Sequence, residues 1–155
     1  MLALRRHVWL ACGPNLLLFK GGKIGRSWRL ESPILGLEAS VPFLPCAVLA
    51  RCEKGAAVFW HDALAGDVEM IAPELKRPRA VFLGNGTLVL LAGEGDGRGC
   101  DGLAVDIDRR GVHSAAQFYK MGGTPVALVA TDRPDEFAIF DGTSEASIWR
   151  VPAGR

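Results

Sequence analysis

The chain has 155 residues, of which 49% are hydrophobic and 23% are charged, so it can bury a core and is not a disordered chain. Its 18 Lys and Arg residues nearly balance 17 Asp and Glu residues, and a net charge of +1 lacks the basic excess typical of nucleic-acid-binding proteins. The 19 glycines and 9 prolines are spread too evenly for helices of three or more turns. The composition therefore predicts one all-β domain with frequent turns, and we expect no nucleic-acid partner.

The start of the chain resembles a signal sequence only superficially. Arg5 and Arg6 precede the apolar residues 8–11, but this run is shorter than a signal core, which needs about 7–15 apolar residues. A turn at Gly13-Pro14 follows, so the run predicts a strand. No apolar stretch approaches the roughly 20 residues of a membrane span. We expect a cytoplasmic protein without a membrane partner.

Four cysteines, at positions 12, 46, 52 and 100, form no C-x-x-C pair and have no histidine at zinc-ligand spacing. Cys12 and Cys46 lie in apolar segments that predict strands. This pattern favours buried free thiols in a reducing compartment over a metal site or a disulfide.

An internal repeat is the most informative feature of the sequence. Residues 47–61 align with residues 127–141 without a gap, and both segments show an apolar strand, a polar loop and a second apolar strand. Residues 88–92 and 103–107 repeat the arrangement halfway between them. Residues 16–30 match residues 137–151, and the two segments share Phe19/Phe140, Gly21/Gly142, Trp28/Trp149 and Arg29/Arg150. The sequence thus predicts four similar units, with bounds near 1–30, 31–72, 73–117 and 118–152.

A period of about 40 residues with several short strands is typical of a propeller blade of four antiparallel strands. Residues 58–68 resemble the end of a WD40 repeat, where an apolar third strand ends in Trp-Asp; here His61 separates Trp60 from Asp62. Phe140-Asp141 occupies the same place in its unit, and Asn85-Gly86 is a type I′ turn signal between a first and a second strand.

The chain resembles a divergent WD40-like β-propeller, without the Gly-His of that family. The resemblance implies about four blades, either closed as a four-bladed ring or forming half of a larger propeller. A sandwich or barrel of duplicated hairpins is the alternative.

The strand count predicts a binding partner. Unit one supplies strands at 6–12, 16–19 and 27–30 and lacks an innermost strand, so backbone groups and the faces of the terminal units need a cover. The cover is either a second copy of the chain or a subunit of a larger complex. The expected assembly edges are Val8, Leu10, Leu17, Ile148 and Val151. The residues expected to be core or partly core are Val48, Leu49, Val58, Phe59, Leu90, Val105, Leu128, Val129, Ile139 and Phe140.

No catalytic or cofactor-binding constellation stands out. Residues 97–102 satisfy G-x-G-x-x-G, but a predicted strand follows where dinucleotide binding needs a helix, and the acidic residues of this loop lack calcium-ligand spacing. His7, His61 and His113 lie far apart in sequence, without a nucleophile elbow. Asp106 and Asp108 are expected to face solvent rather than to act as an acid–base pair. The sequence therefore predicts no enzyme and no cofactor.

Propeller geometry gathers polar loops on one rim, and these loops predict a surface for protein docking. The leading functional prediction is a non-catalytic scaffold subunit that completes or docks onto a larger protein assembly. The alternative is a propeller-type binder of small molecules or carbohydrates, or a propeller hydrolase, that uses the 93–102 loop. The candidate docking residues are Arg51, Glu53, Lys54, Arg77, Arg79, Arg98, Asp132, Arg133 and Asp135.

Overall fold

The structure is a computed structural model that describes residues 1–4, 7–39, 47–60, 68–84, 87–92, 100–108, 111–121, 125–142 and 145–152. Fifteen strands form four separate antiparallel sheets, and the described ranges contain no helix. The prediction of an all-β fold is confirmed.

Each sheet is built from strands that are consecutive in the chain. The first sheet contains β1 (Leu2–Leu4), β2 (His7–Cys12), β3 (Asn15–Lys20) and β4 (Lys23–Arg29). The second contains β5 (Ile34–Ala39), β6 (Ala47–Cys52), β7 (Lys54–Trp60) and β8 (Val68–Lys76). The third contains β9 (Arg79–Phe82), β10 (Thr87–Leu91), β11 (Cys100–Asp108) and β12 (Gly111–Met121). The fourth contains β13 (Ala127–Ala130), β14 (Glu136–Phe140) and β15 (Ala146–Arg150).

The prediction that the first unit lacks a strand is wrong. Residues 2–4 form β1, which pairs with β2 through Leu2↔Trp9 and Leu4↔His7. The three-stranded sheet is the fourth one, where no strand of the described ranges pairs with the second edge of β13. Strand β1 is too short to show a sequence pattern, so the repeat comparison missed it.

One backbone hydrogen bond recurs in three of the sheets and supports the repeat. In each of these sheets, the residue that follows the last strand donates its backbone N–H to a carbonyl in one turn. In a four-stranded sheet this turn joins the second and third strands, and in the fourth sheet it joins β13 and β14. The bonds are Leu30 N to Pro14 O at 2.8 Å, Arg77 N to Glu53 O at 2.9 Å and Val151 N to Asp135 O at 2.8 Å. Leu30 and Val151 are equivalent positions in the sequence match, so the two segments share backbone geometry as well as residues.

Three apolar clusters hold the four sheets together in chain order. The first and second sheets bury Trp9, Leu16, Leu18, Leu30, Val48, Ala50, Cys52, Ala57 and Phe59 between them. The second and third sheets share a cluster that includes Leu49, Val58, Ile71, Leu75, Phe82, Leu88, Leu90, Val105 and Ile107. The third and fourth share Leu83, Val89, Leu91, Ala104, Phe137, Ile139 and Val151. The second and third sheets are therefore covered on both faces.

The sequence predicted the core correctly except at two positions of the fourth unit. Most of the expected core residues are buried, and Leu128 is half-buried. Val129 and Phe140 are instead 50% and 40% exposed. Alternate residues of a strand point to opposite faces, and these two lie on the face of the fourth sheet that is turned away from the third.

Neighbouring sheets contact each other through the first described strand of each sheet. β5 lies beside β1 and β9, and β9 lies beside β13. None of the four described sheets closes into a barrel. The fold is thus a succession of four packed antiparallel sheets, compatible with a β-rich repeat protein.

Candidate protein-interaction surfaces

The first sheet has an apolar face that no other sheet covers within the described ranges. Trp9, Leu16, Leu18 and Trp28 pack toward the second sheet, so the alternate residues of the same strands point outward. We call this surface the first outer face; it is formed by Val8, Leu10, Leu17, Phe19 and Ile24. Ile24 is 60% exposed, and the other four side chains are half-buried.

The fourth sheet has a similar surface at the other end of the stack. Phe137, Ile139 and Trp149 pack toward the third sheet, and the residues that alternate with them form the fourth outer face, namely Val129, Ala138, Phe140 and Ile148. Val129, Ala138 and Ile148 are cross-strand neighbours, and Ile148 is 59% exposed. Single exposed apolar residues are common on protein surfaces, whereas a contiguous patch of this kind is typical of an interface.

The two outer faces are equivalent in the repeat. Leu16 pairs with Trp28 across the β3–β4 hairpin, and the matching Phe137 pairs with Trp149 across the β14–β15 hairpin. Both pairs point into the stack, although the first sheet faces its successor and the fourth faces its predecessor. A ring of identically oriented blades would present opposite faces at its two ends. This chain presents the same face outward at both ends.

Four of the five predicted assembly residues lie on these outer faces. Val8, Leu10 and Leu17 lie on the first, and Ile148 lies on the fourth. Val151 lies on the opposite side, buried against the third sheet. Phe19, Ile24, Val129 and Phe140 belong to the outer faces but were not predicted, although their alternation with inward residues was a signal present in the sequence.

The predicted docking residues of the second sheet lie at two different places. Arg51 donates from Nε to Glu38 Oε1 at 3.0 Å, and its guanidinium lies over Gly36, so it is a structural residue of β5 and β6. Glu53 and Lys54 lie at the β6–β7 turn, where the Lys54 N–H donates to Ser32 Oγ at 3.0 Å.

Cationic side chains gather at the end of the second sheet. Lys54 and Lys76 are cross-strand partners, Arg77 follows Lys76 in the connection to the third sheet, and Arg79 is the first residue of β9. Arg77 contacts Glu53 at 3.7 Å in an exposed ion pair, and such a pair contributes little to stability. The structure therefore brings Glu53, Lys54, Arg77 and Arg79 into one polar area.

The remaining predicted docking residues lie at the β13–β14 turn, except Arg98, which lies outside the described residues. Thr131 Oγ1 accepts from the Arg133 N–H at 3.2 Å, and the Asp135 carbonyl accepts from Val151. Asp132 and Arg133 are exposed, and Asp135 is half-buried. Glu136 in the adjacent strand contacts Arg150 at 3.1 Å and Arg133 at 3.8 Å.

Cys52 agrees with the predicted environment of a buried free thiol, and Cys12 does not. Cys12 was expected in a buried strand but is exposed at the last residue of β2, whereas Cys52 is buried, and both thiols are free. Burial raises the pKa of the Cys52 thiol to about 11, although a hydrogen bond from the Ala57 backbone acts in the opposite direction. Cys46 lies outside the described residues.

The groups considered for catalysis are dispersed where the structure describes them. His7 lies in β2 and His113 in β12, while His61 and Asp62 lie outside the described residues. Asp106 accepts a hydrogen bond from Thr87 Oγ1 at 2.7 Å. Within the described ranges no three His, Cys, Asp or Glu side chains lie close enough to hold a metal ion.

The glycine-rich segment leads into a strand, as predicted. Gly102 lies in β11, opposite Leu91 of β10, so the last glycine of the motif does not begin a helix. Residues 93–99, including Gly97, lie outside the described residues. Asn85-Gly86 also lies outside them, but β9 and β10 form the predicted antiparallel hairpin.

No protein-family model matches this sequence. None of the curated proteins compared with it is similar to it. The part of the chain that the structure describes has no helix that is long and apolar enough to cross a membrane.

Proposed function

We propose that this chain is a non-catalytic protein-interaction subunit that completes a larger protein assembly through its terminal sheets. The observation that carries the proposal is the exposure of Val129, Phe140 and Ile148, which lie around the small buried Ala138 on the fourth outer face. Burying apolar surface contributes about 25 cal/mol per Å², so a partner that covers this face gains a large part of the driving force for association.

The arrangement of the sheets supports this proposal. Among the described residues, the second and third sheets bury both of their faces, and the terminal sheets bury one face each. Val129 shows the difference, because Leu49, its equivalent in the gap-free repeat match, is fully buried against the third sheet. A further sheet or domain packed on the fourth outer face would give Val129 the same environment.

The polar area of Glu53, Lys54, Arg77 and Arg79 supports a second role in docking. Charged rims give orientation and faster association rather than most of the affinity. We propose that the apolar outer faces supply the affinity of the assembly and that this rim area selects the orientation of a partner.

The test is the size of the native complex in an extract of the organism that makes the protein. A tagged chain is expected to migrate above its own mass of 16.6 kDa, and Ile148→Lys is expected to shift it to the size of a monomer. Met70→Glu is the matched control, because Met70 is exposed on β8 of the second sheet, away from both outer faces. A wild-type chain that migrates as a monomer would contradict the proposed function.

A further inference from the structure

We propose that a partner protein adds a strand to the edge of β13 that faces away from β14, which we call the free edge. The added strand takes the place in the fourth sheet that β1, β5 and β9 take in the other three sheets. The inference rests on the proposed function, because it names how the partner engages the fourth sheet. Pairing of this kind, in which an extended segment joins an existing sheet, is a common mode of peptide recognition.

The repeat identifies β13 as the second strand of its unit. Strand β6 begins with Ala-Val-Leu-Ala, and β13 consists of Ala-Leu-Val-Ala. The two strands share their register, since Ala47 pairs with Trp60 and Ala127 pairs with Phe140, at equivalent positions of the gap-free match. On its other edge β6 pairs with β5, whereas no strand of the described ranges pairs with that edge of β13.

The burial of β13 indicates that its free edge is uncovered as well as its outer face. Leu128 and Ala130 pack on the cluster between the third and fourth sheets, yet both are half-buried. Their equivalents Val48 and Ala50 are fully buried against the first sheet, and β5 covers the edge of their strand. A partner on the fourth outer face alone would not cover Leu128 and Ala130, because they point to the opposite side of the sheet.

Backbone groups of β13 point to the free edge. The Thr131 N–H donates to the Glu136 carbonyl at 3.2 Å, so these two residues form a hydrogen-bonded pair of the antiparallel ladder. Hydrogen-bonded and non-hydrogen-bonded positions alternate along such a strand. The N–H and C=O groups of Leu128 and Ala130 therefore point away from β14. A row of such groups is a template for pairing with another chain.

The first strands of the other three sheets indicate the chemistry of the added strand. β1, β9 and β5 have three, four and six residues. Each packs an apolar side chain on the cluster beside its sheet, namely Leu2, Val81 and Leu37. Leu37 pairs with Ala50, the equivalent of Ala130. The occupant is therefore a short, extended, apolar segment of the partner that runs antiparallel to β13 and presents a leucine-like residue opposite Ala130.

The probe is a synthetic peptide of residues 32–39, which contains β5, because β5 pairs with a strand that nearly matches β13 in sequence and register. The same peptide with Leu37→Pro is the control, since proline removes a backbone N–H from the middle of the strand. Nuclear magnetic resonance of the full chain follows the amide shifts and the hydrogen exchange of residues 127–131 during the titration.

Two variants of the full chain locate the binding edge. Ala130→Pro removes an N–H of the free edge. Ala146→Pro is the matched control, because it places a proline at the first residue of β15, which forms the opposite edge of the same sheet. Far-UV circular dichroism checks that both variants keep their strands. If Ala130→Pro alters the fold, the control peptide still tests the pairing, because it leaves the protein unchanged.

The β5 peptide is expected to bind with a dissociation constant of about 1 mM or lower. At saturation it should slow the exchange of the Leu128 and Ala130 amides at least about tenfold. The Leu37→Pro peptide and the Ala130→Pro chain are each expected to weaken binding at least about tenfold. The Ala146→Pro chain is expected to bind the peptide as the wild-type chain does.

Failure of the peptide to bind saturably, or equal binding to the Ala130→Pro chain, would overturn the proposal. Protection of Leu128 and Ala130 that grows with protein concentration in the absence of peptide would also overturn it, because a second copy would then occupy the free edge. If the peptide failed to bind while Ile148→Lys still reduced the size of the native complex, the proposed function would stand and this inference would fail.

Discussion

Gly55 is the residue at which backbone conformation and packing constrain the sequence most tightly. It has a φ of +64°, and a Cβ placed on it would lie 2.7 Å from the carbonyl oxygen of Ile71 and 2.9 Å from that of Ala72. The close approach arises where β8 bulges between its pairings with Ala56 and Lys54. The bulge contributes Ala72 and Leu75 to the core between the second and third sheets.

Substitution of Gly55 by alanine is expected to destabilise the fold by about 3 kcal/mol. A left-handed conformation costs an alanine about 1–2 kcal/mol, and relieving the contacts with two carbonyl oxygens adds to that cost. Gly13→Ala is the matched control, because Gly13 has a φ of +57° but nothing within 4 Å of the added Cβ. Urea denaturation at one protein concentration measures both variants. Equal losses of stability would show that the contacts with β8 do not constrain Gly55.

At the scale of single residues, the sequence predicted burial well in the sheets that pack against another sheet on both faces. Leu49 and Val129 occupy the same place in the repeat, and both were predicted to be core or partly core. Leu49 is covered by the third sheet, whereas Val129 is 50% exposed because no described sheet follows the fourth. Alternation identifies the two faces of a strand, but it does not tell which faces another sheet covers.

An aromatic cluster joins the first two sheets at the scale of elements. Trp9 of β2 stacks on Trp28 of β4 with ring centroids 5.6 Å apart and planes 17° apart. Phe59 of β7 meets Trp28 edge-on at 5.2 Å. Such pairs add to the free energy of burial. Trp9 is fully buried, so its ring serves the packing of the two sheets.

Substitutions on the two faces of the first sheet are expected to differ in their effect on the free energy of unfolding, because only the inner face is buried. Trp9→Ala leaves a cavity beside Trp28 and Phe59 and should lower the free energy of unfolding by about 3–5 kcal/mol. Ile24→Ala shortens an exposed side chain of the same sheet and should change the free energy of unfolding by about 0.5 kcal/mol or less. Chemical denaturation followed by tryptophan fluorescence measures both. A similar loss for the two variants would contradict the assignment of inner and outer faces.

The hairpins were the elements that the sequence predicted best, because both of their strands and the turn lie close together in the chain. The match of residues 16–30 with 137–151 holds in the pairing of Leu16 with Trp28 and of Phe137 with Trp149. Strand β1 was missed because a strand of three residues is too short to show an alternation of apolar and polar residues. The terminal position of Cys12 in β2 likewise placed it in solvent, although its apolar neighbours suggested burial.

At the scale of the whole molecule, the repeat in the sequence could not predict which faces of neighbouring sheets pack together. A repeat predicts that successive units pack on one another, but not which face each unit turns toward its neighbour. In the fourth sheet, the face that carries Phe137 and Ile139 packs on the preceding sheet. The equivalent face of the first sheet, which carries Leu16 and Leu18, packs on the following sheet. Backbone hydrogen bonds fix the connection between these two sheets: the Ile34 N–H donates to the Gly13 carbonyl at 2.8 Å, and the Glu53 N–H donates to the Pro33 carbonyl at 2.9 Å.

A gradient of hydrogen exchange is the expected consequence of stacking four sheets. Amides of β6, β7 and β10 lie in sheets covered on both faces and carry partners on both strand edges, so they open only when the whole stack unfolds. In the described part of the chain the fourth sheet has three strands and one covered face, and local opening exposes its amides at lower free energy. Exchange in residues 47–60 should therefore be at least about tenfold slower than in residues 127–150, as peptides resolved by mass spectrometry would show. The Ile148→Lys variant serves as the control for protection that a partner gives to the outer face. Equal protection of the second and fourth sheets in that variant would show that the molecule unfolds as one unit and that the terminal sheet is no weaker than the centre.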